Sequence, residues 1–219
     1  MIYRLGICSD THAQIAPTFD PASVSALLHA GDFYDAAGDP EALDDDPLQK
    51  WLGGCVVPCF AVRGNHDYVD LRGNFRRWED ITGSVRQLCP GLFVAGVGFA
   101  PRQYLDLPGE TDLQPVCQQV LRHARRVVGS SDRIVLLTHY PTKFVGVADE
   151  WQHFECAREL VEELLPVAVV QGHVHELFGQ RHRIQVLGRS VLLVYPGPVG
   201  GVLEIDISSG DVSLVEGGG

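Results

Sequence analysis

The sequence has little of several features that would point to particular functions. No apolar run approaches the roughly 18 residues that a membrane-spanning helix requires, so we expect no membrane segment. Positive charge is scarce: Asp and Glu outnumber Lys and Arg by 28 to 17, and the formal net charge is -11. Because so acidic a chain repels long polyanions except near bound cations, we expect no dedicated nucleic-acid face and a small substrate.

The chain also lacks a recognisable leader, an internal repeat and a domain linker. It enters a predicted strand at Met1-Ile2 without a basic region, an apolar region or a cleavage site, and we therefore expect a cytoplasmic protein. Its 219 residues suit one domain of ordinary size. We predict a single domain over residues 1–219.

Six cysteines are scattered without the spacing of a structural zinc site. They are Cys8, Cys55, Cys59, Cys89, Cys117 and Cys156. Cys55 and Cys59 are close enough in sequence to share a zinc ion, but no second Cys or His pair follows to complete the site. We interpret the cysteines as reduced, small buried side chains and expect them to take no part in the chemistry.

Hydrophobic periodicity predicts ten strands and three helices. The strands are predicted at 2–8, 24–30, 56–62, 92–97, 133–138, 167–171, 184–187, 191–195, 202–207 and 212–215, and the helices at 47–52, 113–128 and 154–165. Breakers at 188–189 and 196–198 favour an antiparallel meander over 184–207. Arginines among apolar residues favour a partly exposed helix and loop over 68–88. The two prolines in 13–21 predict an irregular loop.

Five short polar clusters are the most informative feature that the chain does contain. They are Asp10-Thr11-His12, Gly31-Asp32, Gly64-Asn65-His66-Asp67, Thr138-His139 and Gly172-His173-Val174-His175. Each cluster follows an apolar stretch, so each lies where a predicted strand ends. Open α/β sheets bind their ligands at this position.

The residue types in these clusters are those of a metal site. Carboxylate and amide oxygens combine with imidazole nitrogens, and no thiolate is present, which favours Mn, Fe, Zn, Co or Ni over the oxygen-only sites of Mg or Ca. Two dications neutralised by Asp10 and Asp32 alone would leave about two positive charges, which attract a phosphate ester. We expect Asp32 to bridge both ions. His29, His123, His153 and His182 are interpreted as structural.

Two further features of the sequence support the prediction of a metal site. His173 and His175 are two residues apart, so on an extended backbone both side chains face one pocket. Gly31, Gly64 and Gly172 adjoin the expected ligands, where a sharp turn needs a positive φ or a close backbone approach.

The order Asp-x-His, Gly-Asp, Gly-Asn-His-Asp, Thr-His and Gly-His-x-His closely resembles that of the calcineurin-like metallophosphoesterases. The resemblance spans Asp10 to His175. It implies a four-layer α/β/β/α sandwich of two mixed β-sheets flanked by helices. It also implies two divalent metal ions, with Mn expected and Fe, Zn, Co, Ni or Mg as alternatives.

The resemblance further implies a role for each matching residue. One metal would be held by Asp10, His12, Asp32 and His175, and the other by Asp32, Asn65, His139 and His173. His66 would be catalytic, stabilising the transition state or protonating the leaving group while a metal-bridging hydroxide attacks phosphorus. Asp67 would orient His66, or alternatively would serve, like Asp35, as a turn or cap residue.

The implied activity is hydrolysis of a phosphodiester or phosphomonoester of a small molecule or nucleotide. A nuclease is the first alternative, and a catalytically idle protein-binding scaffold on the same fold is the second. Arg63 and Arg102 either touch the phosphate or lie at the surface, and Tyr140 either lines the substrate pocket or packs in the interior. Tyr195-Pro196-Gly197-Pro198 resembles the Asn-Pro-Gly-Ser turn of small bacterial phosphodiesterases but lacks its Asn and Ser.

Overall fold

A computed structural model describes residues 1–33, 47–52, 56–67, 78–99, 107–142 and 154–215. It contains twelve strands in these ranges. They are β1 Ile2–Cys8, β2 Ala26–His29, β3 Cys59–Ala61, β4 Trp78–Asp80, β5 Val85–Cys89, β6 Leu92–Val97, β7 Arg133–Thr138, β8 Ala168–Gln171, β9 Arg181–Val186, β10 Arg189–Val194, β11 Gly201–Asp206 and β12 Val212–Val215. The α-helices are α1 Pro47–Leu52, α2 Glu110–Val127 and α3 Glu155–Leu164.

The strands form two mixed six-stranded sheets. Sheet A has the order β12-β11-β1-β2-β3-β4, and sheet B has the order β5-β6-β7-β8-β10-β9. The inner strands of each sheet run parallel, whereas β11 and β12 in sheet A and β5 and β9 in sheet B are antiparallel to their neighbours. The carboxyl ends of the parallel strands in each sheet therefore lie at one edge.

Three buried hydrophobic clusters lie between the layers of the sandwich. One cluster lies between the sheets and includes Leu5, Val135 and Val170. A second packs sheet B against α2 and α3, and a third packs sheet A against α1. Alternate side chains of one strand enter different clusters, as Leu27 and Leu28 do, because successive residues of a strand point to opposite faces. The expected four-layer α/β/β/α sandwich is confirmed.

Two of the expectations about secondary structure are wrong. From residue 78 onward, the strand β4, a turn and the first residues of β5 replace the helix and loop that were predicted over 68–88, while residues 68–77 lie outside the described ranges. The predicted meander is also interrupted, because β9 and β10 pair in sheet B but β11 pairs with β1 in sheet A. The turn at Pro196-Gly197-Pro198 thus carries the chain from one sheet to the other, and the Gly197 carbonyl accepts a hydrogen bond from the Ser9 amide at 3.0 Å.

The first crossover, from β1 to β2, is irregular as predicted. Residues 9–25 contain one 3-10 turn, Pro21–Ser23, capped by the Asp20 carboxylate. Helix α2 begins three residues earlier than expected, since the Asp112 carboxylate accepts the Gly109 amide at 2.8 Å. Among the described residues, no helix has the length and apolar character needed to cross a membrane.

Several predictions fall on residues outside the described ranges. They concern Asp35, Cys55, Arg102 and His153.

Candidate metal centre

The five polar clusters meet where the carboxyl edges of the two sheets face each other. Sheet A contributes the turns after β1, β2 and β3, and sheet B contributes those after β7 and β8. The structure thereby brings together all seven residues that were expected to bind metal. Six of them, together with His66, form three overlapping groups of candidate ligands, and the seventh, Asn65, contacts His139. The groups are Asp10 with His12 and His175, His12 with Asp32 and His66, and Asp32 with His139 and His173, and within each group one ligand atom per residue lies within 4.8 Å of the others.

The half of the centre nearer to β1 is formed by Asp10 and the turn after β8. The Asp10 Oδ1 atom lies 3.6 Å from the His175 Nε2 atom, and the same carboxylate accepts the His173 amide at 3.1 Å. The His12 ring lies 5.6 Å from the His175 ring, measured between centroids. One carboxylate thus fixes the backbone of the Gly-His-x-His turn and faces two imidazoles.

The other half of the centre is more deeply buried. The His139 Nε2 atom lies 3.4 Å from Asp32 Oδ2, 3.2 Å from Asn65 Oδ1 and 3.2 Å from His173 Nδ1. Its other ring nitrogen, Nδ1, lies 2.8 Å from the Ala30 carbonyl oxygen, which can only accept a hydrogen bond. This pairing places a proton on Nδ1 and directs Nε2 toward Asp32 and Asn65, which is how metal-binding histidines are usually oriented. The residues present therefore fit a metal ion here.

Four of the candidate ligands have an uncommon backbone conformation. Asp10, His12, Asp32 and His173 have φ values of 51°, 47°, 57° and 70°. Non-glycine residues at positive φ are strained and concentrate at functional sites. A backbone hydrogen bond between the first two turns helps to hold His12 and Asp32 in this strained conformation. The His12 amide donates to the Asp32 carbonyl at 3.1 Å.

The turns approach one another so closely that only glycine fits between them. A Cβ atom on Gly64 would lie 2.1 Å from Asp32 Oδ1, and one on Gly172 would lie 2.7 Å from Asp10 Oδ2. Gly31 has a φ of +92°, and its Cβ would lie 2.7 Å from the His139 Nδ1 atom. The glycines that were predicted to allow sharp turns or close approach thus do so.

His173 and His175 do not share a face of an extended strand. They follow β8 in a turn, and His175 begins the 3-10 segment His175–Leu177. Because the backbone turns at His173, the two rings reach different partners: His173 contacts His139, and His175 contacts Asp10. The extended geometry from which their shared orientation was argued is therefore wrong, and the two rings lie in different groups of candidate ligands.

His66 lies between the two halves of the centre. Its amide donates to Asp32 Oδ1 at 2.9 Å, while its ring Nε2 lies 3.9 Å from Asp32 Oδ2. The ring packs edge-on against His12 with a centroid distance of 4.7 Å. With a side chain that is 19% exposed, His66 is accessible to a small molecule beside the candidate ligands.

The described contacts of the Asp67 carboxylate favour the turn alternative. It accepts the amides of Asp32 at 2.7 Å, Phe33 at 2.8 Å and Gly64 at 2.9 Å. Burial, together with the negative charge of Asp32, raises the pKa of Asp67 to about 7. Through its three hydrogen bonds, Asp67 joins the turn that carries Asp32 to the turn that carries Asn65 and His66.

The charges within the centre shift the pKa values of its histidines in opposite directions. Burial lowers the pKa of His139, but the Asp32 carboxylate outweighs it and raises that pKa to about 9. Burial and the charge of His139 lower the pKa of His173 to about 4. Burial raises the pKa of Asp32, yet His139 and, to a lesser extent, His66 hold it well below its ordinary value. Asp32 is thus a stable anion in the interior.

Two further residues whose roles the sequence left open, Arg63 and Tyr140, are described, whereas Asp35 and Arg102 lie outside the described ranges. Arg63 Nε donates to Asp80 Oδ2 at 2.8 Å, so its guanidinium is engaged in an ion pair. Tyr140 is fully buried, and its ring lies 4.9 Å from that of His139 and 5.2 Å from that of His173. Tyr140 therefore packs behind two candidate ligands.

His29 contributes to the centre in a way that the sequence did not reveal. The Nδ1 atom of its ring accepts a hydrogen bond from the Gly31 amide at 3.2 Å. The Nε2 atom of the ring lies 3.1 Å from Thr11 Oγ1. It is fully buried and stacks on Phe33 with a centroid distance of 3.6 Å. The interpretation of His29 as structural holds, but it specifically braces the first two ligand turns. Its position two residues before Gly31 was the available signal.

Comparison with known proteins gives one family and several similar folds. A sequence model of the calcineurin-like phosphoesterases matches residues 3–177. The crystal structure of TT1561 from Thermus thermophilus is similar with a TM-score of 0.66 at 12% identity, and 99% of each chain is covered. A purple acid phosphatase from yellow lupin (Lupinus luteus) seeds is similar with a TM-score of 0.52 at 14% identity, over 98% of this chain and 53% of that one. The sequence has no significant match among curated proteins.

Proposed function

This chain belongs to the calcineurin-like phosphoesterase family, and from that premise we propose that it hydrolyses a phosphodiester or phosphomonoester of a small molecule or nucleotide at a dinuclear metal centre. The observation that carries the proposal is the position of Asp32. Its carboxylate belongs to two of the three groups of candidate ligands, and it is buried between them. A buried anion with ligand atoms on both sides is suited to bridging two cations.

The ligands in this proposal are the seven residues named from the sequence. Asp10, His12, Asp32 and His175 would hold one ion, and Asp32, Asn65, His139 and His173 would hold the other. Two divalent ions there would neutralise the phosphoryl oxygens and lower the pKa of water, which is the chemistry that paired metals supply in phosphoesterases. We propose Mn²⁺, because mixed oxygen and nitrogen donors suit transition ions.

The protein's own groups orient this chemistry. Asp67 and Gly64 fix the turn of Asp32, so the bridging carboxylate loses little entropy when the ions bind. His139 keeps its proton on Nδ1 through Ala30 and presents Nε2. His66 lies beside both halves of the centre, where an imidazole can donate a hydrogen bond or a proton to the leaving oxygen.

The net charge of the whole chain favours a small substrate over a nucleic acid. A formal charge of -11 opposes the approach of a long polyanion, whereas the excess positive charge of two ions acts only within the site. A protein-binding scaffold is the weaker alternative, because His66 and the expected ligands are all present and close together.

The proposal is tested by assaying the purified protein after chelation and reloading with Mn²⁺. Substrates are bis(p-nitrophenyl) phosphate, p-nitrophenyl phosphate, plasmid DNA and a single-stranded oligonucleotide, with Fe²⁺, Zn²⁺, Co²⁺, Ni²⁺ and Mg²⁺ compared in parallel. We expect metal-dependent cleavage of the small esters and little cleavage of nucleic acid. Faster cleavage of the plasmid or oligonucleotide would favour the nuclease, and bound metal without any cleavage would favour the scaffold.

A further inference from the structure

Helices α2 and α3 bring two cysteines together on the outer side of sheet B. The Sγ atoms of Cys117 in α2 and Cys156 in α3 lie 3.6 Å apart, and both residues are buried. The two thiols share a weak hydrogen bond. Neither residue belongs to the candidate metal centre, and the proposed hydrolysis does not use them.

We propose that Cys117 and Cys156 are a reversible oxidation site, which a peroxide converts into a disulfide between α2 and α3. A disulfide bond needs its sulfur atoms about 2.05 Å apart, so the sulfurs must approach by roughly 1.5 Å. Rotation about the two Cα–Cβ bonds supplies a displacement of this size. The helices need not separate or unfold.

A cavity gives a small oxidant access to both sulfur atoms. It has a volume of about 370 Å³ and is lined by Cys117 and Cys156 together with side chains from both helices and Leu187. Its other lining residues include Gln114 and Glu159, which are exposed, so the cavity reaches the surface. Hydrogen peroxide is little larger than water and is uncharged, so neither the size of the cavity nor its acidic rim excludes it.

Glu110 lies where its charge acts on Cys156. Its carboxylate extends from the first turn of α2 to the amino end of α3, where it accepts the amides of Glu155 at 3.0 Å and Cys156 at 2.6 Å. The hydrogen bond that the Cys156 thiol makes with Cys117, burial and, to a lesser extent, Glu110 raise the pKa of Cys156. Since the thiolate is the reactive form, the negative charge of Glu110 helps to keep Cys156 protonated and slows its oxidation.

The reaction is balanced by one peroxide molecule for each disulfide. One thiol loses its proton and attacks a peroxide oxygen, the O–O bond breaks, and the departing hydroxide takes up the proton as water. The second thiol then attacks the resulting sulfenic sulfur, the S–O bond breaks, and a second water leaves. The two sulfur atoms together supply the two electrons that reduce the peroxide.

The test uses the full chain, reduced and then freed of reductant. After treatment with hydrogen peroxide and blocking of free thiols, peptide mass spectrometry should find Cys117 and Cys156 joined with the loss of two hydrogen atoms. Closing a loop of about 40 residues should raise the Tm by about 5 to 10 °C, and dithiothreitol should reverse both changes. Free or separately oxidised Cys117 and Cys156, or either one joined to another cysteine, would overturn the proposal.

Two single substitutions separate this pair from oxidation elsewhere. Cys117→Ser should abolish both the cross-linked peptide and the peroxide-induced rise in Tm. Cys89→Ser, which removes a partly exposed cysteine outside the pair, should leave both unchanged. A rise in Tm that persists in Cys117→Ser would contradict the assignment.

The role of Glu110 has its own test. Glu110→Gln removes the negative charge but keeps an oxygen that accepts an amide, so the disulfide should form several-fold faster at pH 7. Glu159→Gln removes a charge from the rim of the same cavity without touching the amino end of α3, and it should change the rate less. An unchanged or slower rate in Glu110→Gln, with its circular dichroism spectrum preserved, would show that Glu110 does not restrain the pair.

Discussion

At the scale of single residues, the candidate centre depends most on Asp32. Its carboxylate belongs to two groups of candidate ligands, so Asp32→Ala should lower the metal content from two ions per chain to fewer than one. Metal analysis after gel filtration in Mn²⁺ measures this content. Asp211→Ala, in the turn between β11 and β12, is the control and should keep both ions. Two ions retained by Asp32→Ala would refute the bridge.

His66 is expected to act on the substrate rather than to hold metal. His66→Ala should therefore lower kcat about 100-fold or more while the metal content stays at two ions per chain. Steady-state kinetics and metal analysis on the same preparation distinguish the two roles. If metal is lost in proportion to activity, His66 is a ligand instead.

The pairing of His139 with Asp32 makes the stability of the metal-free protein dependent on pH. The pKa of His139 is about 9 in the folded protein and about 6.5 when unfolded. A raised pKa contributes stability that is complete below pH 6.5 and is lost as the pH rises through 9. Urea unfolding in EDTA should therefore give a lower free energy of unfolding at pH 9.5 than at pH 7, by up to about 3 kcal/mol.

The raised pKa of Asp67 acts in the same direction, so a substitution is needed to isolate the contribution of His139. His139→Gln should reduce the difference between pH 7 and pH 9.5. His182→Gln, in the exposed strand β9, should preserve it. An equal pH dependence in wild type and His139→Gln would contradict the assigned ion pair.

The candidate donor residues could be named from the sequence because their chemistry is local. Asp, Asn and His at strand ends can be recognised one cluster at a time, and parallel sheets bring such ends together. The residues that support the candidate ligands act between segments that are far apart in the sequence. His29 and Asp67 act through hydrogen bonds to backbone amides of other turns, and the same residue types occur in ordinary turns, so only the folded chain distinguishes them.

At the scale of elements, the tight packing of the ligand turns makes their glycines indispensable. Gly64→Ala would place a Cβ atom 2.1 Å from Asp32 Oδ1, so the Asp32 carboxylate must move from its position. We expect manganese affinity to fall about 10- to 100-fold, as when a supporting group of a metal site is lost. Isothermal titration calorimetry measures the affinity.

Gly109→Ala is the matched control for this change. Its Cβ would find its nearest neighbour at 3.5 Å, an ordinary contact, and Gly109 lies at the start of α2, away from the candidate ligands. Manganese affinity should remain within about twofold of wild type. Equal affinities in Gly64→Ala and Gly109→Ala would show that the Asp32 turn adapts to the added methyl group.

The elements with strong periodicity were predicted, and those defined by long-range pairing were not. Helix α2 and strand β7 are long enough for their pattern to be decisive. Strands β4 and β5 are short, with three and five residues. Arginines are interspersed among the apolar residues nearby, and this pattern favoured the prediction of a helix. The assignment of β10 and β11 to different sheets depends on which strands they meet across the core, and no local pattern encodes that choice.

At the scale of the whole molecule, the two sheets share one core and one candidate centre. Leu5 from sheet A and Val135 from sheet B belong to the same buried cluster. The prediction of a single domain then implies one cooperative unfolding transition, which calorimetry and circular dichroism should report at the same Tm. Two separated transitions would contradict it.

Metal binding should stabilise this unit. Free Mn²⁺ at about 100 times its Kd adds about 2.7 kcal/mol to the free energy of unfolding, which raises the Tm by about 5 to 10 °C for a chain of this size. The increase should disappear in Asp32→Ala. A rise of equal size in that variant would place the stabilising ion elsewhere.

The pairing of β1 with β11 has a consequence for the growing polypeptide. Strand β1 carries the turn of Asp10 and leaves the ribosome long before its antiparallel neighbour, Gly201–Asp206, is synthesised. Until those residues have been synthesised, one side of β1 has no partner strand, and the Asp10 turn lacks the support of the Gly197 carbonyl. A nascent chain stalled before Pro196 should therefore hold metal poorly although it already contains every proposed ligand, so uptake of the ions is expected to be a late event in its biogenesis.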